Sequence, residues 1–125
     1  MENAAPPHDK IPLLKKQANI WISCVRSNGR PHLTPVWFVW HADNIYIGID
    51  PKSVKMRSLR QNPQVALALE DGSHPLICEG KAQMVNPPFS DGLLEAFLEK
   101  YEWNLIQEFQ FHQVVEITPA KWLSW

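Results

Sequence analysis

This chain of 125 residues has only two cysteines and almost no net charge. The two cysteines, Cys24 and Cys78, lie far apart in apolar segments, and neither has a second Cys or a His at zinc-site spacing. We therefore expect two reduced, buried thiols and no metal site. The formal net charge is −1, which favours neither a nucleic acid nor an anionic membrane as a partner.

Long apolar runs and targeting signals are also missing. No stretch approaches the length of a membrane span, and the first residues lack the basic start and apolar run of a signal peptide. We therefore expect a cytoplasmic protein with no membrane partner. The chain shows no internal repeat, linker or low-complexity run. Its length predicts a single domain, residues 1–125, with a loose polar lead over 1–9.

Tryptophan, in contrast, is abundant, with six residues in the chain. A tryptophan buries a large area, so this enrichment suits a core, an interface or a ring-shaped ligand. A barrel of this length has little interior for so many large aromatic side chains. Because surplus apolar surface needs a partner, we expect a homodimer.

Alternating apolar residues indicate a mainly β protein. They predict strands over 19–26, 31–40, 45–49, 64–70, 76–85 and 113–117, whereas residues 118–125 are predicted to trail off. Helical spacing predicts short helices over 10–18, 54–61 and 91–102. Asn28-Gly29 predicts a hairpin turn, and Gly80 predicts a bulge or a close backbone approach. A meander of six antiparallel strands favours a small closed barrel, with an open sandwich as the alternative.

The most informative local pattern is the helix start after the third strand. Ser53 is a good N-cap, and the first turn of a helix offers free N–H groups and a positive dipole end. Lys52 and Lys55 add charge, so a phosphate fits this position. The alternative interpretation is an ordinary capped helix with solvated cations on its outer face.

Four segments of the chain resemble one known family. In order and spacing, residues 29–40, 45–47, 53–67 and 79–82 are similar to the FMN-binding split barrels related to pyridoxamine 5′-phosphate oxidase. The resemblance covers most of residues 18–85, and residues 115–122 are similar to the last strand of that family. It implies a six-stranded antiparallel split β-barrel with short flanking helices. It also implies an obligate homodimer with FMN in the cleft between the subunits.

The resemblance also implies a set of cofactor-binding residues. The second strand would line the isoalloxazine, the end of the third strand would follow the ribityl chain, and the helix start would bind the phosphate. In that order, the positions are Thr34, Pro35, Val36 and Trp37; Ile49 and Asp50; and Ser53, Val54 and Lys55. Val54 and Thr34 stand where true oxidases carry basic residues. The substrate-clamping Arg and His segment is not found near Trp122, so vitamin B6 oxidation is not expected.

These patterns support a ranked set of functions. The first is an FMN-dependent oxidoreductase acting on a small molecule that the sequence does not name. A deazaflavin-dependent reductase, a haem- or flavin-carrying protein without turnover, and a barrel that binds no cofactor remain as alternatives. No catalytic residue is predicted, because the chain shows no Cys–His, metal or paired-carboxylate arrangement, and a flavin supplies the chemistry itself. Of the five histidines, His32 is the best candidate to face the cleft, because it lies beside the proposed flavin strand, but a purely structural role is favoured.

Overall fold

The computed structural model describes residues 4–108 and 112–125. Six antiparallel strands close a barrel in the order β1-β2-β3-β6-β5-β4, which confirms the predicted fold class. The strands are β1 (Asn19–Val25), β2 (Pro31–His41), β3 (Asn44–Ile49), β4 (Gln64–Ala68), β5 (Leu76–Val85) and β6 (Gln113–Ser124). The helices are a short 3₁₀ turn (His8–Lys10), α1 (Ile11–Lys16), α2 (Val54–Gln61), α3 (Asp91–Tyr101) and α4 (Leu105–Glu108).

The strand order departs from the predicted meander. β3 pairs with β6 instead of with the next strand in the chain, and β4 closes the barrel against β1. The helix α2 carries the chain from β3 to β4, so consecutive strands on its two sides are not neighbours. Alternation within a strand shows which face is buried, but it does not show which strand lies alongside.

Two stretches near the C-terminus were predicted wrongly. Residues 118–124, expected to trail off, continue β6 and pair with β5 as far as Leu76 opposite Ser124. The alternation of buried and exposed side chains is interrupted in this stretch, because the pairing register shifts where Pro119 lies opposite Gly80. Trp122 then packs edge-on against Trp40, with ring centroids 5.9 Å apart. The short helix α4 was not predicted at all.

The inward faces of the strands form the core, as the alternation predicts. Ile20, Ile22 and Cys24 of β1 are buried against the inward residues of β3, including Ile45 and Ile47. A smaller apolar cluster lies under α3, where Phe97 is fully buried. This second cluster fixes α3 over the middle of β2, beside the candidate site.

Both glycine predictions are confirmed. Gly29 has a φ of 84°, and its N–H donates to the carbonyl of Arg26 at 2.8 Å, closing the β1–β2 hairpin. At Gly80 a Cβ atom would lie 2.6 Å from the carbonyl oxygen of Thr118, so only glycine fits this close approach of two strands. Both cysteines are free and buried, as expected. None of the helices in the described ranges has the length and apolar character needed to cross a bilayer.

Candidate functional site

The pairing between β2 and β3 covers only the second half of β2. Residues Pro31 to Trp37 pair with β1 on one side, but β3 pairs only with Phe38 to His41 on the other. The first half of β2 therefore has an edge without a strand partner in the described part of the chain. We call this the open edge of β2.

Tyr101 of α3 identifies which backbone groups face the open edge. Its hydroxyl accepts a hydrogen bond from the Phe38 N–H at 3.0 Å and also contacts the Ala18 carbonyl, just before β1. The backbone groups of Phe38 thus point toward the β1 side. Because alternate residues of a strand point to opposite sides, the groups of Trp37 and Pro35 point to the open edge. Pro35 has no N–H to donate, which suits an unpaired edge.

An aromatic cavity of about 450 Å³ lies beside this edge; its lining residues are Asn19, Pro35, Val36, Trp37, Gly48, Trp103 and His112. The ring of Trp37 is 50% exposed and stacks in parallel on Tyr101, with centroids 4.5 Å apart. Trp103 meets Trp37 edge-on and covers Gly48, where a Cβ atom would lie 2.7 Å from its ring. The cavity therefore presents flat apolar walls next to unpaired backbone groups.

The four predicted residues of β2 divide between the two faces of the strand. Pro35 and Trp37 are exposed, while Thr34 and Val36 are partly buried and point into the barrel. Val36 packs against the main core and still borders the cavity. The Thr34 Oγ1 atom is buried and has no hydrogen-bond partner among the described residues. Such an atom carries a desolvation cost unless a ligand or water meets it.

The segment after β3 leads to the predicted phosphate position. The Ile49 side chain is buried in the core, so only its main chain is available to a ligand. Asp50 is exposed, and its carboxylate accepts the N–H of Lys52 at 2.9 Å. The Ser53 hydroxyl donates to the Asp50 carbonyl at 2.7 Å and accepts the N–H of Met56 at 3.2 Å. Its proton is therefore already used within the cap.

Among the described residues, no acceptor binds the backbone N–H groups of Val54 and Lys55 in the first turn of α2. The first four N–H groups of a helix have no partner inside it. Here the Met56 group binds the Ser53 hydroxyl, and the Arg57 group binds the Ser53 carbonyl. Two amide donors and the positive end of the helix dipole remain available for an anion.

The charges of Lys55 and Arg26 also affect His32, near the N-terminal end of β2. Loss of solvation lowers the pKa of His32, and the positive charges of Arg26 and Lys55 lower it further. The imidazole is therefore neutral at pH 7, and its Nδ1 atom is buried without a hydrogen-bond partner in the described ranges. Burial raises the pKa of the Cys24 thiol despite those same two charges, which makes it a poor nucleophile.

His112 lines the aromatic cavity beside Trp103, with ring centroids 5.1 Å apart. Its Nδ1 atom lies 3.7 Å from the Glu108 carboxylate, which is too long for a hydrogen bond. Within residues 4–108 and 112–125, no three His, Cys, Asp or Glu side chains converge in a way that could hold a metal ion.

These features fit a planar ring with an anionic tail. The exposed Trp37 ring and the open edge of β2 offer a flat surface and backbone hydrogen bonds. The amides of Val54 and Lys55 offer donors to an anion. The residues present therefore fit a flavin-like group better than they fit a metal.

Residues 11–125 match the family described as pyridoxamine 5′-phosphate oxidase. The chain belongs to this family. A search of curated proteins found no match.

Solved structures show the same fold at low sequence identity. Rv2991, a conserved hypothetical protein from Mycobacterium tuberculosis, is 22% identical, with a TM-score of 0.75 over 100% of this chain and 89% of its own. An F420 reductase is 20% identical, with a TM-score of 0.75 over 94% of this chain and 98% of its own. HutZ, the heme storage protein from Vibrio cholerae, is 19% identical, with a TM-score of 0.73 over 94% and 93%. At such identities the likeness establishes the fold alone.

Several residues of the site carry no signal in the sequence. Tyr101, Trp103 and Gly48 come together only because α3 and the chain after it return to β2 and β3. No local motif marks them as neighbours. Arg26 and Arg57 border a separate cavity with Val54, although only Arg57 lies in a segment that carried the family resemblance.

Proposed function

We propose that this protein binds a flavin of the FMN type along the open edge of β2 and is an oxidoreductase for a small molecule. The observation that carries the proposal is the open edge itself, bordered by the exposed Trp37 ring. The free amides at the start of α2 support it, because they suit the phosphate of the same ligand. Family membership over residues 11–125 gives further support.

The side chains of this protein bind and orient the cofactor in this proposal. Trp37, supported from behind by Tyr101, gives the ring a flat apolar contact, and Pro35 and Trp37 offer backbone groups to its polar edge. Val54 and Lys55 hold the phosphate by their amides, with added charge from the Lys55 side chain. When bound, the flavin supplies the redox chemistry, so no side chain has to act as a nucleophile or metal ligand.

The binding test uses purified protein mixed with FMN, followed by flavin absorbance and fluorescence. We expect Trp37→Ala to reduce FMN occupancy strongly. The matched control is Trp125→Ala, because Trp125 is 74% exposed and lies outside the cavity lining. Equal loss in both variants, or no FMN binding by the unaltered protein, would contradict the proposed site.

The redox test reduces the bound flavin anaerobically with dithionite or a nicotinamide donor and then admits air. We expect full reduction and reoxidation. Alanine at His32, Tyr46 or His112 should lower rates by about tenfold or less, since each removes one contact and not the reacting group. If one of these variants abolishes turnover while the flavin stays bound, that residue is a catalytic acid or base.

Two relatives motivate alternatives within the same site. One is named an F420 reductase and another a heme storage protein. A deazaflavin would use the same flat wall and anion donors, whereas a haem would call on His112 as a ligand at the cavity. The absorption spectrum of the protein as purified separates the three, and mass spectrometry of the released cofactor identifies it.

We further propose that the protein is a homodimer. The outward face of β1 and β2 carries an apolar strip formed by Trp21, Leu33, Pro35 and Trp37, and Leu33 is 60% exposed. The pairing places Trp21 opposite Ala68 of β4, which extends the strip. Contiguous apolar patches of this kind are rare on monomers. The strip reaches Trp37, so a second subunit there would help to enclose the ligand.

Sedimentation at micromolar protein concentration tests the dimer. We expect Leu33→Glu to yield monomers with weakened FMN binding. Ile106→Glu is the control, because Ile106 is 67% exposed on α4 and is not one of the strip residues. An unaltered protein that is monomeric and still binds FMN fully would exclude a cleft shared between subunits.

A further inference from the structure

A cavity of about 360 Å³ lies between the β1–β2 hairpin and α2; it is lined by Arg26, Ser27, Asn28, Val54, Arg57, Ser58 and Gln61. This volume is far above the roughly 10–15 Å³ that one water needs by the same kind of measure. Its lining contains two guanidinium groups, two hydroxyls and two amides, and no carboxylate. In a chain with a net charge of −1, that is a local concentration of positive charge.

The turn geometry holds Arg26 in place. The Arg26 N–H donates to the Arg30 carbonyl at 2.9 Å, and the Gly29 N–H donates to the Arg26 carbonyl at 2.8 Å. Asn28 uses its side-chain oxygen to accept the Arg30 N–H at 3.0 Å. The backbone at Arg26 is thus fixed by the hairpin, while the side chain remains exposed.

The other wall is one face of α2. Val54, Arg57, Ser58 and Gln61 follow the three- and four-residue spacing that places side chains on one side of a helix. Ser58 is only 3% exposed and forms the floor, whereas Arg57 is exposed at the rim. Lys55 is not part of this lining; its charge acts on Cys24 and His32 instead.

The two arginines are not neutralised within the protein. Among the residues that the structure describes, neither guanidinium has a carboxylate within 4.0 Å. Two unpaired guanidinium groups facing one cavity favour a ligand with at least two negative charges and several acceptor oxygens. A phosphate group meets both requirements, and a monoanion such as chloride meets neither.

We propose that this cavity is a binding site for the phosphate group of an organic phosphate, held by Arg26 and Arg57. The assignment does not rest on the proposed flavin function, because the anion can be measured directly. Its source is either the flavin phosphate or a second phosphorylated ligand, and the test distinguishes the two.

The first experiment titrates the protein with inorganic phosphate at low ionic strength and records amide and arginine side-chain NMR signals. We expect saturable shifts at Arg26, Arg57 and Ser58, and much smaller shifts with chloride. Arg26→Gln and Arg57→Gln should each weaken binding by about tenfold, which corresponds to the loss of one charge-assisted contact. Arg60→Gln is the control, since it removes the same charge from the same helix outside the cavity lining.

The second experiment compares FMN with riboflavin, which lacks the phosphate. If Arg57→Gln weakens FMN but not riboflavin, the site holds the flavin phosphate. If inorganic phosphate binds but the ratio of FMN to riboflavin affinity is unchanged, the site serves another phosphate. Shifts that never saturate, or that Arg60→Gln reduces as much as Arg57→Gln does, would overturn the site. Failure of both flavins with phosphate still bound would refute only the proposed function.

Discussion

Thr34→Val is the substitution that best separates the stability of the barrel from its binding function. The Thr34 hydroxyl oxygen is buried with no hydrogen-bond partner among the described residues, and the side chain faces the barrel interior across from Ile22. Valine has almost the same shape and keeps the β-branch that a strand favours. The change therefore removes a polar group from an apolar site without opening a cavity.

The magnitude follows from two contributions. An unsatisfied buried hydroxyl costs roughly 1–3 kcal/mol, and replacing it with a methyl group adds apolar burial of about 0.8 kcal/mol. Thr34 is only partly buried, so the lower part of the range applies. We expect the protein without cofactor to gain about 1–2 kcal/mol in free energy of unfolding.

The assay is urea denaturation of the cofactor-free protein, with Thr118→Val as the matched control. Thr118 is a partly exposed residue of β6, and its hydroxyl is not among the buried groups without a partner. The control should change stability by less than about 0.5 kcal/mol. A loss of 1 kcal/mol or more in Thr34→Val would show that the hydroxyl has a partner in solution. That result would refute the reasoning.

The same variant reports on function. If the hydroxyl meets a bound ligand, Thr34→Val should weaken FMN binding about threefold to tenfold while it stabilises the free protein. A gain in stability together with unchanged FMN affinity would show that the Thr34 hydroxyl affects only the stability of the barrel. Opposite signs for the two measurements would identify a position where folding stability is sacrificed for binding.

Three further changes test the fold and the site. Tyr101→Phe keeps the ring but removes the hydroxyl that meets the buried N–H of Phe38, so urea denaturation should show a loss of about 1–3 kcal/mol; a loss below 0.5 kcal/mol would contradict it. Burial lowers the pKa of Lys100 from 10.5 to about 8. Between those pH values only the unfolded state holds the proton, so the unaltered protein should gain stability relative to Lys100→Met as pH rises. Parallel pH profiles would contradict this. Lys55→Glu should weaken FMN binding by about 1–3 kcal/mol, and Arg60→Glu far less; equal effects would indicate general charge and not a site.

The sequence alone predicted five of the six strands and their buried faces, and it predicted only the first half of β6. Alternation at Ile20, Ile22 and Cys24 marks an inward face because successive side chains point to opposite sides of a strand. The sequence also predicted the hairpin at Gly29 and the close approach at Gly80. Gly29 has a positive φ and Gly80 has no room for a Cβ atom, and glycine suits both conditions. In each case the physical cause is local to a few residues.

The residues of the site that the sequence did not predict are brought together by contacts between distant segments. Tyr101 lies 63 residues from Phe38 in the chain, and its hydroxyl still reaches that backbone. Trp103 covers Gly48 in the same way. Arg26 and Arg57 meet at one cavity only because α2 packs beside the β1–β2 hairpin. Local periodicity carries no information about such pairings, so composition alone left these residues as solvated or core side chains.

One signal of the open edge was nevertheless present in the sequence. Pro31 and Pro35 are four residues apart in a strand, so both missing N–H groups fall on the same side. A strand cannot be paired fully along a side that lacks two of its four donors. β3 accordingly begins its pairing only at Phe38, beyond both prolines. The prolines thus help to keep the first half of β2 unpaired, next to the exposed Trp37. The missing N–H groups weaken the sheet there, and they leave an edge to which a ligand can bind.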